Sequence, residues 1–125
     1  MPLRNDQTEP VSVDVLFVGV AVTDFEVARA WYERFFDRAP DVVAHGAEVM
    51  WQVTERGWLY ILGDTANAGH SIVTMAVADI DEAASALGAR GLVVGPIRPE
   101  GDAGRKAVAL DPDGNSIALI EVVQH

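Results

Sequence analysis

An internal repeat is the feature that most limits what this chain can fold into. Residues 18–24 and 73–79 align at an offset of 55 residues, with valine, alanine and aspartate at matching places. Self-similarity of this kind indicates a duplicated supersecondary unit. Two copies within 125 residues predict one domain built from paired modules, because a solenoid needs more repeats to bury its core.

Each copy begins with the pattern of a strand followed by a helix. Residues 13–22 and 72–78 are apolar and rich in β-branched side chains, which is typical of buried strands. Asp24 and Asp79 follow these strands at helix N-cap positions, where a carboxylate accepts the free N–H groups of the first turn. Pro40 ends the first predicted helix, because proline cannot continue the helical hydrogen-bond ladder.

Three short strand candidates follow each helix, and the last two in each copy are joined by a turn. The turn at 111–115 has the sequence Asp-Pro-Asp-Gly-Asn. Its proline restricts its own φ angle to the value that a turn needs, and its glycine can adopt a positive φ. The predicted strands are 42–45, 47–54 and 58–62 in the first copy, and 92–97, 106–110 and 116–123 in the second. The order predicts an α+β fold of two β-α-β-β-β modules with mostly antiparallel pairing. The modules span about 13–63 and 70–123 of a single domain, 13–125, and residues 1–12 are expected to be a flexible N-terminus.

Composition excludes several classes of partner and site. A formal net charge of −10 argues against nucleic acid, whose phosphates need a basic face. That charge serves solubility or attracts a cationic ligand, and charge alone leaves both readings open. The chain contains no cysteine, which removes disulfide and thiolate sites and leads us to expect a cytoplasmic location. No apolar run reaches the length that spans a membrane, and no signal peptide is recognisable.

Several segments resemble the vicinal-oxygen-chelate superfamily, which includes glyoxalase I, ring-cleaving dioxygenases and bleomycin-binding proteins. The segments that carry the resemblance are 20–24, Trp31-Tyr32, Gly104-Arg105 and 111–121. The resemblance covers roughly residues 13–123. It implies a glyoxalase-like fold, in which each module curls its sheet into half a barrel, the two modules enclose a cleft, and the helices pack outside.

The resemblance also implies four metal-ligand positions, two on each module. In this sequence they fall on Phe17, Ile61, Ile72 and Ala118. Divalent metals of this kind need imidazole or carboxylate donors, and these apolar side chains offer no lone pair. We therefore expect no metal site, no cofactor and no catalytic residue of the kind that metallated relatives use.

Apolar residues at those positions predict a cleft that binds a small organic molecule. Polar residues nearby would orient the ligand, and aromatic residues, Trp58 among them, would form its walls. The predicted ligand-binding residues are Phe17, Trp51, Gln52, Ile61, His70, Ile72, Thr74, Arg105 and Ala118. Trp51 faces either the cleft or the first helix, and the hairpin register decides which. His70 is either a polar group at the cleft mouth or an exposed loop-edge residue.

The favoured function is a metal-free, homodimeric small-molecule-binding protein similar to the bleomycin resistance proteins. The resemblance implies sequestration of an aromatic or cationic natural product, and the negative charge suits a cation. The alternative is a lyase, isomerase or dioxygenase of the same superfamily with an atypical active site. A third reading is an accessory or structural protein with a vestigial cleft. Metal analysis of the purified protein separates the first two readings.

Overall fold

The computed structural model describes residues 11–123, so most of the segment expected to be flexible, 1–12, lies outside the described part of the chain. The first module contains β1 (Leu16–Val22), α1 (Phe25–Phe36), β2 (Val42–His45), β3 (Glu48–Thr54) and β4 (Gly57–Gly63). A short 3-10 helix, Thr65–Asn67, connects the modules. The second module contains β5 (Ile72–Ala76), α2 (Ile80–Ala89), β6 (Arg98–Glu100), β7 (Gly104–Leu110) and β8 (Ser116–Val122).

Each module forms its own mixed sheet of four strands. The strand orders are β1-β4-β3-β2 and β5-β8-β7-β6, so the two sheets have the same topology. The first strand of each module runs parallel to the last, and the other pairs are antiparallel. The predicted fold class and the duplication are therefore confirmed, with sheets that stay open and do not close into a barrel.

Both predicted helix starts are confirmed by cap geometry. The Asp24 carboxylate accepts from the Val27 N–H at 3.1 Å, and the Asp79 carboxylate accepts from the Glu82 N–H at 3.0 Å. At the other end of α1, Asp37 adopts a left-handed conformation with φ of 57°. This turns the chain out of the helix three residues before Pro40.

The predicted strand at 92–97 is wrong. This segment makes one isolated bridge, between Val94 and Ala109, and the strand that completes the second sheet is β6, further along the chain. Pro96 explains the difference, because it has no N–H to donate and interrupts the ladder directly after the Gly95 N–H bonds to the Val108 carbonyl at 2.9 Å.

The two faces of the first sheet have different environments. Trp51 pairs in register with Leu59, both are buried, and the Trp51 ring packs at 6.1 Å from Tyr32 and 5.3 Å from Phe36. This is the face that α1 covers, and we call it the helix face. Alternate residues, such as Trp58, lie on the opposite, open face.

A single apolar core connects the helix faces of both modules. Helix α1 contributes an apolar stripe at helical spacing, and α2 contributes a shorter one from Ile80 and Leu87. The largest fully buried side chains are Trp51, Tyr32, Leu59, Ile61, Ile80 and Ile117. These residues come from both modules and pack into one cluster, so the helix faces of the two repeats share a core.

The turn between β7 and β8 forms hydrogen bonds that connect the second module to the first. The buried Asp111 carboxylate accepts from the Tyr32 hydroxyl of α1 at 2.8 Å and from the Asn115 side-chain amide at 2.8 Å. The same Asn115 amide donates to the Ala21 carbonyl of β1 at 3.0 Å, and the Thr23 N–H donates to the Asp113 carboxylate at 3.1 Å. We call Asp111, Asn115 and Tyr32 the junction network.

Burial, followed by the neighbouring Asp111 carboxylate, raises the pKa of Tyr32 well above its usual range. The phenol therefore stays protonated and remains a hydrogen-bond donor at the junction throughout the neutral range. Within residues 11–123, neither helix has the length and apolar character needed to cross a membrane.

Candidate functional site

A cavity of about 550 Å³ lies between the two modules. Its lining is mainly apolar and comes from both helices, from the edge strands β1 and β5, and from the β3–β4 hairpin. The main lining residues are Leu16, Val18, Phe35, Phe36, Val53, Trp58, Leu59, Val73, Thr74, Met75, Val77, Ala83, Ala86, Leu87 and Leu119. Its volume lies within the roughly 300–1,000 Å³ of small-molecule sites.

The charged side chains that line this cavity, Arg38 and Arg90, are both basic. Arg38 pairs with the Asp41 carboxylate at 3.0 Å, and a hydrogen bond from the Gln52 N–H together with Arg38 lowers the pKa of Asp41. Arg90 donates to the Phe35 carbonyl at 2.8 Å, at the end of α1. The cavity lining thus gives no local support to the expected preference for a cation.

Trp58 connects the cavity to the open face of the first sheet. Its ring stacks on Phe17 with centroids 6.2 Å apart, and Phe17 is 53% exposed. The Tyr60 ring lies across Gly19, where an added Cβ would come within 2.5 Å of the phenol oxygen. Glycine at this position therefore leaves space for the Tyr60 ring on the open face that also carries the Phe17–Trp58 pair, and Trp58 brings this aromatic surface to the border of the cavity.

Two predicted ligand-binding residues, Trp51 and Ile61, face away from this aromatic surface, and neither lines the cavity. Both are fully buried on the helix face. The Trp51 indole N–H donates to the Arg38 carbonyl at 3.1 Å, which fixes the ring against α1. The hairpin register, which pairs Trp51 with Leu59, decides this orientation.

Strand register also shows which residue of the first module matches Ala118. Gly19 and Thr74 are equivalent in the repeat, and their partners across the parallel ladders are Tyr60 and Ala118. The open-face position is therefore Tyr60. In the sequence, Ile61 and Ala118 each follow a turn glycine, Gly57 or Gly114, by four residues, which favours Ile61. That count fails in the structure because the β3–β4 hairpin contains a register shift near Thr54 that the second module lacks.

The structure separates the other predicted residues into several places. Thr74 lines the cavity, whereas Ile72 is 79% exposed on the open face and Ala118 is fully buried beside Thr74. His70 is exposed just before β5. Gln52 is also exposed, and its side-chain amide donates to the Glu55 carbonyl at 2.9 Å within the hairpin turn.

Arg105 lies on the helix face of the second sheet, away from the cavity. It forms ion pairs with Asp81 at 2.8 Å and with Glu121 at 3.4 Å, and these partners raise its pKa. The Glu121 carboxylate also accepts from the Ile80 N–H at the start of α2 at 3.0 Å. Arg105 therefore connects α2 to its sheet and does not line the cavity, and its role in ligand binding stays a prediction.

The residues at the family's metal-ligand positions do not fit a divalent metal. The positions carry Phe17, Ile72 and Ala118, and Tyr60, which replaces Ile61 there, offers one phenol oxygen. Within residues 11–123, no three histidine, cysteine, aspartate or glutamate side chains group together in a way that could hold a metal ion. We derive no metal chemistry from this donor set.

Several cavity residues were missed by sequence reasoning. Ala83 and Ala86 of α2, with Val73 and Met75 of β5, form one wall of the cavity. The sequence does contain a signal, since small alanines on the inner face of a helix leave space against the neighbouring sheet. Alanine is also the best helix former, so that signal has no specificity without the structure.

Comparisons with known proteins agree with this architecture. The model of the Glyoxalase/Bleomycin resistance protein/Dioxygenase superfamily matches residues 14–119. A glyoxalase/bleomycin resistance protein from Catenulispora acidiphila is 38% identical, with a TM-score of 0.82, over 90% of this chain and 100% of that one. No curated protein sequence matches significantly.

More distant structures show the same fold. The antibiotic-binding protein TnmS3 from a Streptomyces species is 24% identical, with a TM-score of 0.72, over 93% of this chain and 99% of that one. A bleomycin-binding protein solved with bleomycin is 17% identical, with a TM-score of 0.70, over 93% of this chain and 100% of that one.

Proposed function

The chain belongs to the Glyoxalase/Bleomycin resistance protein/Dioxygenase superfamily, and from that membership we propose that it is a metal-free binder of small, mainly apolar organic molecules. The observation that carries the proposal is the cavity of about 550 Å³ between the modules, whose wall is apolar and whose border is aromatic. Antibiotic-binding and bleomycin-binding proteins among the structural neighbours support a binding role, and a cytoplasmic location is part of the proposal.

The cavity favours neutral ligands with apolar or aromatic groups. Apolar surface stabilises a ligand by about 25 cal/mol for each Å² removed from water, and a large ring such as Trp58 adds stacking. Arg38 and Arg90 lie at the lining, so a cationic ligand gains nothing from nearby charge. The overall charge of −10 then serves solubility, and neutral natural products with apolar groups are the ligand class that we propose.

The enzyme alternative of the same superfamily finds less support. A lyase, isomerase or dioxygenase of this superfamily would polarise its substrate with donors at the open-face positions, where Phe17, Ile72 and Ala118 have only carbon and hydrogen. The titratable residues of the cavity lining are two arginines already engaged with Asp41 and with the end of α1. We therefore propose binding as the function of the site.

The direct test uses N-phenyl-1-naphthylamine, a neutral fluorophore that brightens in apolar surroundings. We expect saturable binding at one site per chain, unchanged by exhaustive treatment with EDTA, because the proposed contacts involve no metal. Titration followed by fluorescence measures this, with elemental analysis of the same sample as control. Absence of saturable binding, or its loss on chelation, would contradict the proposal.

We also propose that the protein is a homodimer. Apolar residues on and just before the edge strands are exposed, including Leu16 at 60%, Phe17 at 53% and Ile72 at 79%. A second copy would cover this surface, and closed two-fold pairs are the commonest oligomers. Light scattering should give twice the mass of one chain.

A pair of lysine substitutions tests the dimer surface. Ile72→Lys should shift the protein to a monomer at micromolar concentration, since it places a charge within the apolar surface. Val93→Lys, at a position 86% exposed and outside the strands, should leave the dimer intact. A monomeric parent protein, or equal masses for both variants, would show that this surface does not mediate association.

A further inference from the structure

The edge of β5 presents free main-chain hydrogen-bonding groups along the cavity. A cavity that touches one face of a strand is lined by alternate residues, as β1 shows with Leu16 and Val18. Strand β5 and the residue after it instead line the cavity with five consecutive residues, 73–77. The cavity therefore runs along the edge of this strand as well as along its face.

Hydrogen-bond register identifies the groups that face the cavity. The Ser116 N–H donates to the Ser71 carbonyl at 2.9 Å, and the Val77 N–H donates to the Ile120 carbonyl at 2.8 Å. Main-chain groups alternate sides along a strand, so the odd-numbered residues between 71 and 77 face β8. The N–H and C=O groups of Thr74 and Ala76 consequently face away from β8, towards the cavity.

These outward groups have no partner strand within residues 11–123, since β5 is the first strand of its sheet and pairs with β8 alone. A main-chain N–H or C=O group beside an apolar cavity needs a hydrogen-bond partner when a ligand excludes water from it. A ligand that carries matching acceptors and donors is therefore favoured there. Thr74 and Ala76 each present one N–H donor and one C=O acceptor on this edge, and one residue lies between them. An extended peptide chain presents the complementary pattern of donors and acceptors.

We infer that the ligand is a short, peptide-like molecule with apolar side groups, which binds in extended form as an added strand on β5. This inference rests on the proposed function and names the ligand class of that site. The outward residues Thr74 and Ala76 span about 7 Å at 3.3 Å per residue, which corresponds to three consecutive ligand residues. Small side chains at Ala83 and Ala86 leave room for apolar ligand groups above the strand.

The test compares a capped apolar tripeptide, acetyl-Val-Ala-Val-N-methylamide, with a series in which each amide in turn is N-methylated. N-methylation removes a donor and keeps the apolar surface. We expect at least one methylated analogue to bind at least tenfold more weakly than the parent peptide. In the bound protein, amide hydrogen exchange at Thr74 and Ala76 should slow at least tenfold more than exchange at Val73 and Met75.

A second arm uses the protein backbone. Ala76→Pro removes the outward N–H, and proline is tolerated at sheet edges where the N–H does not serve the ladder. This variant should weaken the tripeptide at least tenfold more than it weakens N-phenyl-1-naphthylamine. If this variant does not fold, the binding of the N-methylated peptides to the parent protein still tests the strand-addition inference.

The outcomes separate the two proposals. Binding of the fluorophore together with failure of every tripeptide, or equal affinity of all methylated analogues, overturns the strand-addition inference and leaves the binding function standing. Exchange at Thr74 and Ala76 that does not change on peptide binding also overturns it. Failure of the fluorophore itself contradicts the proposed function, whatever the peptides do.

Discussion

Replacing Asp111 by alanine is expected to lower the free energy of unfolding by about 3–5 kcal/mol, the range seen when one partner of a buried polar network is removed. The Asp111 carboxylate accepts from the Tyr32 hydroxyl, the Asn115 side chain, and the N–H groups of Asp113 and Asn115, all at 2.8–2.9 Å. Alanine leaves these donors without an acceptor at the contact between the modules. Urea unfolding followed by circular dichroism measures the change.

Two further variants separate the network from a general effect of charge. Asp102→Ala removes an exposed aspartate and should change stability by less than about 0.5 kcal/mol. Tyr32→Phe removes one donor to the network and should cost about 1–2 kcal/mol. Because Tyr32 and Asp111 interact directly, the double variant should cost less than the two single costs added together. A cost for Asp111→Ala below about 1 kcal/mol would show that water replaces the carboxylate, and that the junction network does not hold the modules together.

Filling the cavity with a large side chain is expected to abolish ligand binding. Ala86 of α2 lines the cavity, so the indole of Ala86→Trp should occupy the volume that a ligand uses. We expect N-phenyl-1-naphthylamine to bind at least about a hundredfold more weakly, which corresponds to about 2.8 kcal/mol at 1.4 kcal/mol per tenfold. Fluorescence titration measures the affinity, and circular dichroism verifies that the fold survives.

The matched control is Ala89→Trp, three residues further along the same helix. Ala89 is exposed and does not line the cavity, so the same substitution there should leave fluorophore binding within about twofold of the parent. Overpacking costs about 1–3 kcal/mol in a well-packed core, but the open volume next to Ala86 should accept the new ring with less strain. Equal binding by both variants would place the ligand elsewhere, and the aromatic surface of Phe17, Trp58 and Tyr60 would then be the site to test.

Much of the fold follows from local signals in the sequence. The repeat predicts the paired modules, and Asp24 and Asp79 predict both helix starts because an N-cap carboxylate acts on N–H groups three residues away. The prediction of a strand at 92–97 is wrong, and the cause is also local in the sequence. Pro96 removes a donor, and apolar character alone does not make a strand continuous.

Most of the site depends on relations that no local signal encodes. Whether Trp51 and Ile61 face the helix or the cleft depends on the pairing register, and a shift of one residue moves every side chain to the other face. Among the residues predicted to bind the ligand or to form the walls of its cleft, Thr74 and Trp58 line the cavity. The cavity also needs α2, β5 and α1 to meet, and these elements are distant in the chain.

The duplicated β-α-β-β-β order, the helix caps and the family can therefore be predicted from the sequence, because these depend on spacing along the chain. The sequence also determined that Phe17, Ile72 and Ala118 offer no metal ligand, since donor chemistry belongs to the residue type. Three features are visible in the folded chain alone: Asp111 joins the modules through Tyr32, Tyr60 takes the place assigned to Ile61, and the edge of β5 borders a cavity. These features arise from packing and strand register between distant segments, which are set by the whole core at once.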